Sequence, residues 1–166
     1  MKILVADDDP FFRRLLEKVL APDFEVETAN DGVEAWEAIQ RAEVPLLVIL
    51  DWVMPGLSGP QVCREVRAHA NTATTYLILL TSRNSSPDIL AGLRAGADDY
   101  ITKPFEPEEL RARVRGGCRI IDLQQEVASV RTELEASLLR EQGLQARLDL
   151  RQEILPAVKL AKGASA

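Results

Sequence analysis

Short apolar runs alternate with longer stretches of helical periodicity over the first 121 residues of the chain. Five of these runs are strand candidates, three of them nearly all apolar as buried parallel strands should be, and between them lie segments whose apolar residues recur every three or four positions. Strict alternation predicts an α/β fold, a doubly wound five-stranded parallel sheet with helices on both faces. The predicted strands span residues 3–6, 24–28, 46–50, 76–80 and 99–101.

Helix-start signals stand between the predicted strands. In the first, a capping carboxylate, Asp9, precedes a first-turn proline, Pro10. The apolar face of this helix is predicted to consist of Phe12, Leu15, Leu16, Val19 and Leu20. Gly96 is typical of a helix stop before the last strand. The other predicted helices begin near Asn30-Asp31-Gly32, Ser58-Gly59-Pro60, Ser86-Pro87-Asp88 and Glu106-Pro107-Glu108-Glu109.

The composition excludes several classes of protein. With 20 basic and 26 acidic residues the formal net charge is −6, so no basic surplus is available to bind nucleic acid. No apolar run reaches the roughly 18 residues of a membrane span, and the first residues lack the layout of a signal peptide, which predicts a cytoplasmic protein with no membrane partner. Cys63 and Cys118 are isolated, which favours small buried residues over a disulfide or a metal site.

Polar residues collect at the ends of the predicted strands. In a doubly wound sheet the ligand site lies outside the carboxyl ends of the strands, so these side chains are expected to share one crevice. Taken alone, each has a simpler interpretation as a helix cap, a turn former or a solvated charge. Their coincidence at one sheet edge favours a function. They are Asp7 and Asp8 after the first strand, Asp51 after the third, Thr81 and Ser82 after the fourth, and Lys103 after the fifth.

Clustered carboxylates need positive charge, because at an effective dielectric of about 20 they repel by several kcal/mol per close pair. Lys103 supplies one charge, and Mg²⁺ suits a site of two or three carboxylates, a backbone carbonyl and a phosphate oxygen. Asp9 is expected to cap the first helix instead. Asp51 is then the candidate nucleophile for a phosphoryl group, with Lys103 and Thr81 contacting phosphoryl oxygens.

Several stretches of the chain resemble the receiver domain of two-component response regulators, including the chemotaxis type. The resemblance covers about residues 1–121, with every motif in order, and implies a flavodoxin-like fold of strand order 2-1-3-4-5. It also implies that a sensor histidine kinase or phosphotransfer protein phosphorylates Asp51. The stretches are Asp7-Asp8, Asp51-Trp52-Val53-Met54-Pro55-Gly56, Leu80-Thr81-Ser82, and Gly96-Ala97-Asp98-Asp99-Tyr100-Ile101-Thr102-Lys103-Pro104-Phe105.

The resemblance assigns roles to the site residues, which would make the chain a phosphoacceptor and not an enzyme. Asp8 and Asp51 would bind Mg²⁺ directly and Asp7 through water, with the backbone carbonyl of Val53 completing the protein ligands. The other implied roles are the switch pair Thr81 and Tyr100, a phosphoryl contact from Lys103, and a cis bond at Lys103-Pro104. Ser82 is small enough to leave room for the phosphoryl group and offers it a hydroxyl contact.

Two other functions stay open at this point. The D-x-D spacing of Asp7 and Asp9 is also that of haloacid-dehalogenase-like phosphatases, in which Asp7 would be the nucleophile and Asp9 the general acid. That interpretation leaves Asp51 without a role. A receiver that serves only as a phosphorylation-independent scaffold is the other alternative, and it is disfavoured because every site residue is in place.

After about residue 121 the composition shifts to Glu, Gln, Arg, Ala and Leu, which indicates helix. We therefore expect a receiver domain over 1–121, a helical coiled-coil extension over 122–158 and a flexible tail over 159–166, with the downstream partner left open. Nine of twelve a and d positions are apolar, which predicts a parallel homodimer. These positions are Ile120, Leu123, Val127, Val130, Leu134, Ser137, Glu141, Leu144, Leu148, Arg151, Leu155 and Val158.

Overall fold

A computed structural model describes residues 1–42, 46–82 and 85–163, with side chains as far as residue 151. These residues form a five-stranded parallel sheet of order β2-β1-β3-β4-β5, which confirms the predicted fold. Each strand lies within one residue of its predicted bounds. The strands are β1 (Lys2–Ala6), β2 (Glu25–Ala29), β3 (Leu47–Asp51), β4 (Tyr76–Thr81) and β5 (Asp99–Thr102).

Five helices alternate with the strands in the described part of the chain, and side-chain caps fix where several of them begin. The Asp9 carboxylate accepts the N–H of Phe11, so the predicted cap of the first helix is confirmed. Asp31 caps the second helix through two N–H groups, and Ser85 caps the fourth. The helices are α1 (Pro10–Leu20), α2 (Gly32–Arg41), α3 (Gly59–Ala68), α4 (Ser86–Arg94) and α5 (Pro107–Gly163).

The strands bury side chains on both faces of the sheet, which explains why three of them are almost wholly apolar. Ile3 and Val5 of β1 belong to a core cluster that includes residues of α1 and α5. Leu4 and Ala6 point the other way and belong to a cluster with residues of α2 and α3, in which Cys63 is fully buried. The two faces follow directly from the period-two alternation of side chains along a strand.

The chain divides into two compact units, Met1–Gln124 and Gln125–Ala166. The last buried apolar residue of the first unit is Ile121. Helix α5 continues to Gly163, so residues 159–163 of the expected tail have helical backbone, while residues 164–166 lie outside the described part of the chain. Within the described ranges we find no helix with the length and apolarity of a membrane span.

Candidate functional site

Four strands bring polar side chains to the carboxyl edge of the sheet. Asp51 is the last residue of β3 and Thr81 is the last residue of β4. Asp7 follows β1, and its N–H still bonds the carbonyl of Ala29 on β2 at 3.4 Å. Lys103 follows β5, and its N–H bonds the carbonyl of Thr81 at 2.7 Å. Both residues therefore continue the ladder, which fixes the direction of their side chains.

These side chains surround one open cavity of about 320 Å³ at the strand ends. The structure thus brings together almost all of the residues that the sequence assigned to a site. Tyr100 is the exception, because it belongs to the apolar cluster on the α2 and α3 face of the sheet. The cavity is lined by Asp7, Asp8, Asp9, Phe12, Asp51, Val53, Thr81, Ser82 and Lys103.

The ammonium of Lys103 lies between two carboxylates. Its Nζ donates to Oδ2 of Asp7 at 2.6 Å and to Oδ1 of Asp51 at 2.7 Å. The three side chains are 11%, 1% and 12% exposed, so these ion pairs are largely shielded from water. The Lys103-Pro104 peptide bond is cis, as the family resemblance implied. One cation thus holds two of the clustered carboxylates together.

The remaining carboxylate oxygens of this pair are fixed by backbone donors. Oδ1 of Asp7 accepts the N–H of Asp9 at 2.9 Å, and Oδ2 of Asp51 accepts the N–H of Val53 at 2.9 Å. The Arg13 guanidinium donates to the backbone carbonyl of Asp7. Both carboxylates are therefore held in one orientation, with a second lone pair on each oxygen still available.

Burial and hydrogen bonding oppose each other in the pKa values of this cluster. Burial acts to lower the pKa of the Lys103 ammonium, but the hydrogen bonds that Lys103 donates to Asp51 and Asp7, together with the attraction of their charges, outweigh burial and the pKa is raised. Burial also raises the pKa of the Asp7 carboxyl, against the opposing effect of the hydrogen bond from Lys103. Lys103 therefore stays charged, while Asp7 takes up a proton more readily than an exposed aspartate.

The oxygen donors fit a hard divalent cation in chemical type. The exposed carboxylate of Asp8, the carboxylates of Asp7 and Asp51, and the residue Val53 all line the same cavity, and Mg²⁺ prefers carboxylate and carbonyl oxygens. Among the described residues, no three acidic, His or Cys side chains converge into a metal-binding cluster.

Thr81 and Ser82 differ in exposure although they are neighbours. Thr81 is buried and Ser82 is exposed, and both line the cavity. Tyr100, the expected switch partner of Thr81, is buried on β5, with its ring edge-on to Trp52 at 6.4 Å between centroids. Thr81 thus lines the cavity, whereas Tyr100 belongs to the apolar cluster on the α2 and α3 face.

Two residues of α1 belong to the site although the sequence analysis gave them no part in it. The ring of Phe12 lies 4.0 Å from the Lys103 ammonium, in a cation–π contact. Arg13 bonds the Asp7 carbonyl. A signal was present in the sequence, because α1 begins shortly after Asp7 and Asp8, so that residues of its first turn can lie near the end of β1. An apolar pattern in α1 had suggested only a core position for Phe12.

Asp9 caps α1, and this structural role competes with a catalytic role. Its Oδ1 accepts the N–H of Phe11 at 2.8 Å, and its side chain lies at the exposed start of α1. In the phosphatase alternative Asp9 would be the general acid, acting beside Asp7 as nucleophile. Asp7 is only 1% exposed, and burial raises the pKa of its carboxyl, which disfavours Asp7 as the nucleophile.

Comparison with known proteins identifies the family. Residues 3–115 match the family model of the response regulator receiver domain. Response regulator MprA of Mycobacterium leprae is 46% identical over 116 residues, covering 69% of this chain and 50% of the relative. DNA-binding response regulator MtrA of Mycolicibacterium smegmatis is 41% identical over 119 residues, covering 71% and 50%. The chain spans about half the length of the curated relatives it matches.

Solved structures give the same result. A response regulator from Chloroflexus aurantiacus is 38% identical, with a TM-score of 0.66, and the match covers 70% of this chain and 95% of that one. The chemotaxis protein CheY4 of Vibrio cholerae is 32% identical with a TM-score of 0.63, covering 69% and 95%. The matched part is the parallel sheet with its surrounding helices.

Proposed function

The chain belongs to the response regulator receiver family, and from this premise we propose that Asp51 is its phosphoacceptor and Mg²⁺ its cofactor. One observation carries the proposal: the Lys103 ammonium holds Asp51 at 2.7 Å in a cavity lined with further carboxylates. A carboxylate fixed beside a buried cation, at the end of a central strand, is suited to accept a phosphoryl group.

The reaction transfers one phosphoryl group to the chain. A carboxylate oxygen of Asp51 forms the new bond to phosphorus, the bond from phosphorus to the donor's leaving group breaks, and an acyl phosphate results. Lys103 pairs with a phosphoryl oxygen, and the hydroxyls of Thr81 and Ser82 donate hydrogen bonds to others. Asp7, Asp8, Asp51 and the Val53 carbonyl would hold Mg²⁺, which supplies charge neutralisation when bound.

The proposed switch residues are Thr81 and Tyr100. Thr81 is buried beside the cavity, so a hydrogen bond to a phosphoryl oxygen would draw its side chain toward Asp51. Tyr100 and Trp52 form an aromatic pair. This pair lies on the same face of the sheet as Leu77 and Leu79, which precede Thr81 on β4. A shift of Thr81 would therefore be felt by that pair, which makes Trp52 fluorescence a reporter of phosphorylation.

Phosphoryl transfer can be tested directly with the full chain. Wild type, Asp51→Asn and the surface control Asp122→Asn are incubated with acetyl phosphate and MgCl₂, and intact mass is measured. We expect wild type and Asp122→Asn to gain one phosphoryl group and Asp51→Asn to gain none. Chelation of Mg²⁺ should prevent the gain. Equal phosphorylation of Asp51→Asn, or rapid hydrolysis of a generic phosphoester by wild type, would refute the proposal.

The proposed partners are proteins. A sensor histidine kinase or phosphotransfer protein would supply the phosphoryl group to Asp51. MtrA is named as DNA-binding, but the match covers only half of that protein, and the formal net charge of −6 gives this chain no basic surplus for nucleic acid. We propose the division into a receiver over 1–121 and a helical extension from residue 122 onward, with a second copy of the chain as partner of the extension.

A further inference from the structure

Helix α5 carries a row of exposed aliphatic side chains that begins at the end of the first unit and continues through the second. From Ile120 to Leu148 these side chains are between 41% and 67% exposed, although large aliphatic residues are normally buried. An exposed row of this length is expected to be covered by a partner. We call it the seam, and it consists of Ile120, Leu123, Val127, Val130, Leu134, Leu144 and Leu148.

The spacing of the seam identifies the kind of partner. Its members follow one another at intervals of three and four residues, except for the ten-residue step from Leu134 to Leu144, where Ser137 and Glu141 occupy the intervening d and a positions. Intervals of three and four give the period of 3.5 that winds two helices around each other. We propose that the seam binds the same seam of a second copy of this chain, in a parallel and in-register coiled coil. The proposal goes beyond the phosphoacceptor function and holds whether or not Asp51 is phosphorylated.

Charges beside the seam complement each other in the parallel register. Glu126 is at position g, and its partner across a parallel dimer is Arg131 of the second copy at position e. Within its own helix Glu126 has no oppositely charged residue three or four positions away. Arg131 bonds Glu135 of its own helix at 2.9 Å and keeps further donors for a second carboxylate. Two such interchain pairs form in each dimer.

A polar residue at an a position between Leu134 and Leu144 of the seam also agrees with this register. Glu141 occupies position a, where the two copies bring their carboxylates close together. Arg140 precedes it at position g, so each carboxylate faces a guanidinium of the other copy. A polar residue at one a position costs stability but specifies the register of a coiled coil. The middle of the extension is therefore its weakest part.

An antiparallel dimer over residues 120–151 would match fewer apolar residues. Seven of the ten a and d positions in this segment are apolar, and the parallel register places each against its own copy. Antiparallel pairing of the whole segment leaves four apolar layers, Leu123 against Leu148 and Val127 against Leu144, each formed twice. The antiparallel dimer would instead form exposed ion pairs between Glu126 and Arg147 and between Glu133 and Arg140. Aliphatic burial contributes more than exposed ion pairs, which favours the parallel form.

The seam is tested by two matched leucine substitutions in the full chain, without any phosphoryl donor. Leu134 is in the seam at position a, whereas Leu139 is at position f; the two side chains are 59% and 69% exposed. In sedimentation equilibrium we expect a dimer for wild type and for Leu139→Lys. Leu134→Lys should weaken dimerisation at least about a hundredfold. A monomeric wild type well above micromolar concentration, or equal effects of both substitutions, would overturn the proposal.

Orientation is tested by disulfide formation in a Cys118→Ser background. Cys63 can stay, because its side chain is fully buried and burial raises the pKa of its thiol to about 12. In the parallel form Val130→Cys faces its own copy and should cross-link under mild oxidation, whereas the neighbouring exposed control Ser129→Cys should not. In the antiparallel form residue 130 faces residue 141, which separates the two cysteines by roughly 16 Å along the helices, beyond the reach of a disulfide.

Charge reversal provides an independent test of the register. Glu126→Arg should weaken the parallel dimer roughly tenfold, because two interchain attractions become repulsions. Glu133→Arg is the control, since residue 133 faces Leu138 of the second copy in the parallel form. Both substitutions would weaken an antiparallel dimer. Equal weakening by Glu126→Arg and Glu133→Arg, together with failure of Val130→Cys to cross-link, would overturn the parallel register.

Discussion

Lys103→Met removes the ammonium that lies between the buried carboxylates of Asp7 and Asp51. The substituted side chain keeps a similar apolar stem and packs in the same space, so the change is mainly one of charge. Asp7 is 1% exposed and Asp51 is 12% exposed, which leaves little water to compensate either carboxylate. The variant should therefore be less stable than wild type, although it contains one polar group fewer.

The magnitude follows from the burial of the pair. Removing one partner of a buried ion pair costs about 3–5 kcal/mol in the free energy of unfolding. The site opens into a cavity, and the Asp7 carboxyl, whose pKa is already raised by burial, can bind a proton in response. Both effects place the expected loss at the lower end, about 3 kcal/mol. With a urea dependence of about 1.5–2 kcal/mol per molar, the unfolding midpoint falls by roughly 1.5–2 M.

Urea unfolding followed by circular dichroism measures this loss at one fixed protein concentration. The matched control is Lys2→Met, because Lys2 pairs with Glu27 at 2.7 Å but both side chains are well exposed. That control should leave the midpoint almost unchanged. A second variant, Lys103→Met with Asp7→Asn, removes the uncompensated buried charge and should recover more than half of the loss. If Lys103→Met lowers the unfolding midpoint no more than Lys2→Met does, the ion pairs at the site do not stabilise the fold.

Three further predictions concern single residues. Gly116→Ala should stabilise by roughly 1 kcal/mol, since a new Cβ there meets no atom within 4 Å, whereas Gly117→Ala should destabilise by roughly 1–3 kcal/mol, since its Cβ would come within 2.6 Å of a tyrosine ring; thermal unfolding measures both. Asp9→Ala should lower the free energy of unfolding by about 1 kcal/mol because α1 loses its cap, yet it should leave phosphoryl incorporation intact. If the protein were a phosphatase with Asp9 as general acid, the same substitution would abolish turnover. A thiol reagent at pH 8 should label Cys118 in the folded protein but Cys63 only after unfolding, because burial raises the pKa of the Cys63 thiol to about 12; labelling of both at equal rates would contradict the buried position.

The sheet could be predicted closely from sequence because three of its strands, β1, β3 and β4, are buried on both faces and bounded by strong signals. β3 follows from an uninterrupted apolar run, and α1 from Asp9 and Pro10. The end of α5 was harder to predict. Residues 159–163 contain the helix formers Leu160, Ala161 and Lys162 as well as a glycine, so local propensity favoured the helix over the expected tail.

The contacts within the site could be predicted only in part. The sequence places Lys103 and Asp51 at neighbouring strand ends, but which oxygens the ammonium bonds depends on rotamers and on the donors that hold the other oxygens. Asp7 illustrates this, because one of its oxygens accepts the backbone N–H of Asp9 and the other accepts the Lys103 ammonium. Phe12 was assigned to the core face of α1 for its apolar character, yet its ring lies against a cation. Apolar periodicity does not distinguish these two environments.

Alternation along the strands explains how the site divides between the two faces of the sheet. Val5 of β1, Ile49 of β3 and Ile101 of β5 belong to the core cluster that includes residues of α1 and α5. Two positions further along each strand, the same side of the sheet carries the three charged residues of the site, Asp7, Asp51 and Lys103.

Thr81 lies on the opposite face of the sheet in the alternation along β4. It follows Leu77 and Leu79, which belong to the other cluster together with Tyr100. The charged residues therefore meet on one side of the sheet edge, and the two proposed switch residues are associated with the other. A phosphoryl group on Asp51 that bonds the Thr81 hydroxyl would connect the two faces across a single strand end. The α2 and α3 face would then respond to a charge added on the α1 and α5 face.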